Sequence, residues 1–202
     1  MHRPCVSLLS TRAMDSPGTW NSQAGQDRMI SSIFEGKRGG YFVDLAAASP
    51  IVLSNSRALE RDLDWRGLCI EGNERLTKKL KAQRKCTVVQ SLISSRAANV
   101  TYARSDANPG YSRIVSMQAE SSGANSVQET LTLDAVLRAH DAPAVMDYLS
   151  LDVEFHELQV CHYPACLMLL ASMAAGADTR LPSIPRATIV PHAARVLPRL
   201  HA

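Results

Sequence analysis

The chain has few aromatic residues (5%), no Cys-x-x-Cys pair, no Gly-x-Gly-x-x-Gly and no long apolar run. Each absence removes a class of protein. Crossing a bilayer takes about 20 apolar residues in a helix, and the longest apolar stretch here, 165–176, is shorter and interrupted by Ser172. No membrane partner is expected. The cysteines (Cys5, Cys69, Cys86, Cys161, Cys166) lack metal-ligand spacing, and their odd number argues against a disulfide framework. Cys69 and Cys86 lie in or beside apolar runs and read as buried, reduced thiols, which makes a reducing, cytoplasmic location the default. With aromatics sparse and no nucleic-acid motif, the basic run Lys78, Lys79, Lys81, Arg84, Lys85 reads as the solvated face of a helix, so no nucleic-acid partner is expected. Residues 1–9 are too short an apolar run for a secretory leader, although Arg and Ser before the first acid, Asp15, leave an organellar address open.

What is present fits an ordinary globular domain. The 202 residues are 46% hydrophobic and 20% charged, with a net charge of +3. That length usually makes one domain, and that composition supports a core. The run Tyr41-Phe42-Val43-Asp44-Leu45-Ala46-Ala47-Ala48 and the run Gly67-Leu68-Cys69-Ile70-Glu71 are both short, apolar and marked by one carboxylate. Strands covered on both faces of a parallel sheet read this way. Glu71 follows Asp44 by 27 positions, about one βαβ unit. In open α/β sheets ligands bind beyond the carboxyl ends of the strands, so two carboxylates at neighbouring strand ends suit a nucleotide-like ligand with hydroxyls to hold.

Residues 1–20 read as a loose leader, 21–160 as the folded domain and 161–202 as an atypical tail. Met29, Ile30, Ile33 and Phe34 recur at helical spacing over 26–34. Gly39-Gly40 admits a strand at 41–46, Ser54 or Asn55 is placed to cap a helix facing inward through Leu59 and Leu63, and Trp65 reads as a packing anchor before a strand at 68–71. Asn73 caps a helix at 74–84, then 87–93 reads as a third strand and 100–103 as a short fourth. The polar stretch 105–125 reads as a long loop near the acceptor side, Thr132 caps a helix at 133–140, and 146–153 is another strand. In the tail, Pro182, Pro185, Pro191 and Pro198 recur too often for a long helix or a central strand, so the sheet is expected to stay incomplete on its C-terminal side.

Four blocks together resemble the FkbM family of S-adenosylmethionine-dependent methyltransferases. They are Ser22-Gln23-Ala24-Gly25-Gln26-Asp27, then Gly40 to Asp44 with Leu53-Ser54-Asn55-Ser56 and Leu59-Glu60, then Trp65 to Asn73, and finally Asp147 to Glu154. The resemblance covers about 20–160 and implies a Rossmann-like class I methyltransferase fold with a mostly parallel sheet. It implies S-adenosylmethionine as cofactor and methyl transfer to a hydroxyl of a small molecule or sugar. Asp44 would sit near the methionine end, with Ala46, Ser54 and Asn55 in the cofactor loop and the helix start behind it. Glu71 would accept the two ribose hydroxyls, and Ser91 would approach the adenine. Asp152, Glu154 and His156 would face the methyl or the acceptor, with Asp152 the first candidate for the base.

Simpler roles exist for the same residues. Asp44 suits a helix cap, Glu71 an ion pair with a nearby Arg or Lys, and Asp152 with Glu154 a solvated strand end. The alternation Asp152, Glu154, His156 is too common to mark a metal site, and none is assigned. Ala46 and Pro50 stand where the family carries glycine, Ser49 replaces an acid, and Phe155-His156 replace a glycine and, often, an alanine. Proline fixes φ and removes an N–H from a loop whose amides would hold the cofactor. The alternative function is therefore an inactive methyltransferase-like remnant or an interaction module. A nicotinamide-dependent oxidoreductase is a third reading, weakened by the missing glycine fingerprint. Oligomeric state has no signature in the chain.

Overall fold

The computed structural model describes residues 20–105, 112–120, 125–153, 156, 157, 160 and 188–191. The order is α1 (Gln26–Ile33), β1 (Tyr41–Leu45), α2 (Arg57–Leu63), β2 (Arg66–Glu71), α3 (Glu74–Gln83), β3 (Thr87–Gln90), β4 (Leu92–Ile93), β5 (Ala98–Ala103), β6 (Arg113–Ser116), β7 (Asn125–Leu131), α4 (Leu133–Ala139), β8 (Tyr148–Leu151) and β9 (Thr188–Pro191). Local chemistry sets several of these limits. The Asn73 side chain accepts from Arg75 N at the start of α3, and the Thr132 hydroxyl accepts from Ala135 N at the start of α4. Each satisfies an amide that the first helical turn leaves open.

The larger sheet runs β3-β2-β1-β8-β9, with every pair parallel. The chain moves outward from β1 through β2 to β3, then crosses to β8 on the other side. The order therefore reverses between β1 and β8, as at the switch point of a doubly wound sheet. This is a mixed α/β architecture with a mainly parallel sheet, compatible with a Rossmann-like fold. The smaller sheet, β4-β7-β5-β6, is inserted between β3 and α4 and is mostly antiparallel.

Side chains alternate across β1, β2 and β8. Val43, Leu45, Leu68, Ile70, Leu149 and Leu151 form one core, against which Val136 of α4 packs. On the other face Phe42, Cys69 and Tyr148 pack with Ile30, Leu59 and Leu80 from α1, α2 and α3. Trp65 is an anchor as expected. It is buried, its Nε1 donates to Lys37 O at 2.7 Å, and Phe34 meets it edge-on at 5.5 Å. A Cβ at Gly40 would fall 2.5 Å from the Trp65 ring, so only glycine fits there.

Several expectations need correction. Cys69 and Cys86 are not free thiols: they form a disulfide, which closes a 17-residue separation and on chain-entropy grounds stabilises the fold by about 3 kcal/mol. The strand at 87–93 is two strands, β3 and β4, in different sheets, and the supposed loop 105–125 contains β6. The tail supplies β9, which covers the edge of β8 expected to stay open. Pro191 ends this strand at the rim of the sheet, where a missing N–H is tolerated. Met29 and Ile33 are exposed, so Ile30 alone of the three carries the inner face of α1. Arg84, read as part of a solvated basic face, is buried. Among the described residues, no helix is long and apolar enough to cross a membrane.

Candidate functional site

A pocket opens at the carboxyl ends of the parallel strands. Leu45 and Ala46 line it from β1, Ile70, Glu71 and Gly72 from β2, Ser91 from the end of β3, and Val153 and His156 from beyond β8. Tyr102, Ser112, Arg113 and Ile114 close it from the smaller sheet. Its water-accessible space is about 50 Å³, room for a few waters at roughly 10–15 Å³ each. A Cβ at Gly72 would fall 2.2 Å from Leu92 Cδ2, so glycine lets the wall close beside Glu71.

Glu71 is the carboxylate of this pocket. It is buried, and its oxygens accept from Ala48 N at 2.9 Å and Asn73 N at 2.7 Å. Desolvation pushes its carboxyl up to about 7, against the pull of these amides and that of Gly72. Among the described residues, no Arg or Lys pairs with it in the way the simpler reading expected; backbone amides hold it. Each carboxylate oxygen has lone-pair capacity beyond one such bond. The loop that reaches Glu71 is itself strained, because Ala46, Ala48 and Leu53 have φ of 54°, 48° and 61°. Left-handed backbone costs a non-glycine residue roughly 1–2 kcal/mol. The positive φ at Ala46 falls where the resembled family carries glycine.

Asp44 has a different setting. It is buried on the opposite face of β1, where Ser56 Oγ donates to its Oδ2. Burial raises its pKa, while the Ser56 and Ser150 hydroxyls and the Arg84 charge pull it down. Arg84 donates to Glu60 Oε1 at 3.1 Å, to Ser54 Oγ at 3.0 Å and to Ser56 Oγ at 2.9 Å. Glu60 also accepts from Lys85 N and Cys86 N, and Asn55 Nδ2 donates to Ser150 Oγ at 3.0 Å. Asp44, Ser54 and Asn55 thus belong to one internal network that ties α2, the end of α3, β1 and β8 together. None of them lines the pocket. Neither Ser54 nor Asn55 caps α2: the N-cap is Ser56, and it makes no side-chain cap bond. Asp44 meets the Ser56 hydroxyl, not the helix amides.

Of the candidates after β8, His156 lines the pocket, and its Nε2 lies 3.0 Å from Ser94 Oγ. Burial lowers its pKa, favouring neutral imidazole. Asp152 is half-buried and not among the lining residues. Glu154 and Phe155 lie outside the described residues. Ser91 lines the pocket; its N donates to Glu71 O and its hydroxyl donates to Leu92 O. The structure thus brings together Ala46, Glu71, Ser91 and His156, and leaves Asp44, Ser54, Asn55 and Asp152 elsewhere. Sequence reasoning missed Tyr102, Arg113 and Ser94, which lie in or beside the inserted sheet. Among the described residues, no group of His, Cys, Asp or Glu is arranged to hold a metal ion.

Compared with protein-family models, with curated proteins and with solved structures, the chain shows no match in any of the three.

Proposed function

We propose that this chain is an S-adenosylmethionine-binding domain of the O-methyltransferase type, acting on a hydroxyl of a small molecule or sugar. The observation that carries the reading is Glu71: a buried carboxylate at the end of β2, facing a pocket that four parallel strand ends share. A carboxylate in this position suits the vicinal hydroxyls of a ribose. The resemblance of the four sequence blocks supports the same ligand. Ala46 and Ser91 border Glu71 on either side and would complete the contact.

Transfer of a methyl from a sulfonium to an oxygen needs alignment above all. A base that accepts the hydroxyl proton adds to it. His156 is the best-placed candidate for that base, being neutral and pocket-lining, with one ring nitrogen engaged by Ser94. Asp152 and Glu154 stay as alternatives from the resemblance. A nucleoside ligand needs a cleft of roughly 300 Å³ or more, against about 50 Å³ here. Binding therefore requires the loop 46–53 to move off Glu71.

That same small volume favours a second reading, an inactive methyltransferase-like module. Thermal unfolding with and without S-adenosylmethionine separates the two. Ligand at ~100 times its dissociation constant stabilises a native state by about 2.7 kcal/mol. The proposal expects an upward shift in Tm that Glu71→Ala abolishes. A cooperative transition that does not move with ligand would leave the module reading.

A further inference from the structure

We propose that the Cys69–Cys86 disulfide is a redox latch for the loop 46–56 after β1. The disulfide does not touch the pocket, and the coupling runs through a chain of contacts. Cys69 sits in β2, and Cys86 immediately precedes β3, the edge strand of the larger sheet. Cys86 N donates to Glu60 Oε2 at 2.9 Å and Lys85 N to Glu60 Oε1 at 3.1 Å. Two residues before the cysteine, Arg84 binds that same carboxylate and reaches the hydroxyls of Ser54 and Ser56. Ser56 in turn donates to Asp44. The segment 84–86 therefore holds the far end of the loop whose near end lines the pocket through Ala46 and binds Glu71 through Ala48 N.

The loop is suited to respond. Ala46, Ala48 and Leu53 are held at positive φ, and Ile51, Val52 and Leu53 are exposed. Backbone strain of this kind persists only where its surroundings enforce it. With the disulfide closed, residues 84–86 are fixed to β2 and Arg84 is fixed with them. With it open, the segment keeps its bonds to Glu60, the end of α3 and the start of β3 but loses its covalent tie to β2, so Arg84 clamps the loop from a less rigid base.

Opening requires a dithiol as reductant. Its thiolate attacks one protein sulfur, the Cys69–Cys86 bond breaks and a mixed disulfide forms. The second thiol then closes the reagent's own disulfide. The reagent loses two electrons, and Cys69 and Cys86 end as thiols carrying the two protons. Cys86, flanked by exposed Lys85 and Thr87, is the sulfur nearer solvent.

The test is amide hydrogen exchange on the full chain, air-oxidised and after dithiothreitol, with thiols counted by alkylation after denaturation. Reduction should speed exchange of peptides from 46–56 roughly tenfold or more, while peptides from β8 keep their protection. A Cys69→Ser, Cys86→Ser double variant should reproduce the reduced pattern without reductant. Ser54→Ala, which removes one hold of Arg84 on the loop, should loosen the oxidised protein part of the way, so that reduction adds less. Unchanged exchange at 46–56 on reduction would overturn the proposal. So would loss of protection by β8 and the loop together, which would make the disulfide a general staple, or alkylation of both Cys69 and Cys86 in the air-oxidised chain.

Discussion

Asp44 and Glu71 are both buried carboxylates on neighbouring strands, yet they do opposite work. Asp44 lies one residue inside the end of β1 and faces the helices, where hydroxyls and a guanidinium surround it. Glu71 is the last residue of β2 and faces a pocket, held among the described residues by backbone amides. Every charge around Asp44 has a partner inside the protein, so that region is complete without a ligand. Among the described residues that line the pocket with Glu71, the charged or titratable ones besides Tyr102 are Arg113 on the opposite wall and His156, and the charge of Asp44 on the next strand pushes the Glu71 pKa further up. Burial thus says little about role. What separates a structural carboxylate from a ligand-facing one is whether the protein itself supplies the counter-charge.

The largest test of this contrast is Arg84→Met. Arg84 and Glu60 form a fully buried pair, and removing one partner of such a pair costs about 3–5 kcal/mol because the other charge is stranded. The urea midpoint should fall accordingly, with the slope unchanged. A loss under ~1 kcal/mol would mean that water reaches this network and that Asp44 is not sealed.

Glu71 should instead reveal itself through pH. Its folded pKa, about 7, lies above its ordinary value, so the native state holds the proton more tightly than the unfolded chain. Its stabilising contribution is fully present below the unfolded pKa of about 4.3 and is lost as pH rises through the folded value, on the order of 3 kcal/mol in all. Wild type should therefore lose stability between pH 5 and 8, and Glu71→Gln should lose less. Asp44, raised by burial, and His156, lowered by it, contribute to both proteins and cancel in the difference. Parallel stability curves for the two proteins would show that Glu71 titrates normally and faces water.

This contrast was half legible in the sequence. The apolar runs at 41–48 and 67–71 declared the central strands, because residues covered on both faces leave no polar alternation. Asn73 and Thr132 declared their helices, because a cap is a local interaction. The partner of Asp44 was hidden. Arg84 follows a run of lysines that do face solvent, and only the turn at the end of α3 swings it inward. The disulfide was hidden by register: Cys69 pairs with Val88, which puts Cys86, two residues earlier, on the same face of the sheet. Parity counts could not supply that offset. β6 and β7 were hidden because half their side chains are exposed and Ser, Gln and Glu break the pattern. β9 was hidden by the prolines of the tail sequence; the one within it, Pro191, ends the strand at a sheet edge, where its missing N–H costs little.

The finest test lies in three consecutive alanines after β1. Ala46 and Ala48 have positive φ, whereas Ala47 does not; its methyl is buried, and its N donates to Ile70 O at 3.2 Å. Glycine at 46 or 48 relieves a left-handed residue of roughly 1 kcal/mol, partly offset by the greater freedom of glycine in the unfolded chain. Each change should raise stability by about 0.5 kcal/mol. Ala47→Gly gains nothing and loses a buried methyl, so it should lower stability by about 1 kcal/mol. The sign should therefore alternate along three identical side chains, which denaturant melts of three single variants can read. If all three variants lose stability together, the loop over Glu71 is unstrained, and the pocket side of the molecule is as settled as the Asp44 side.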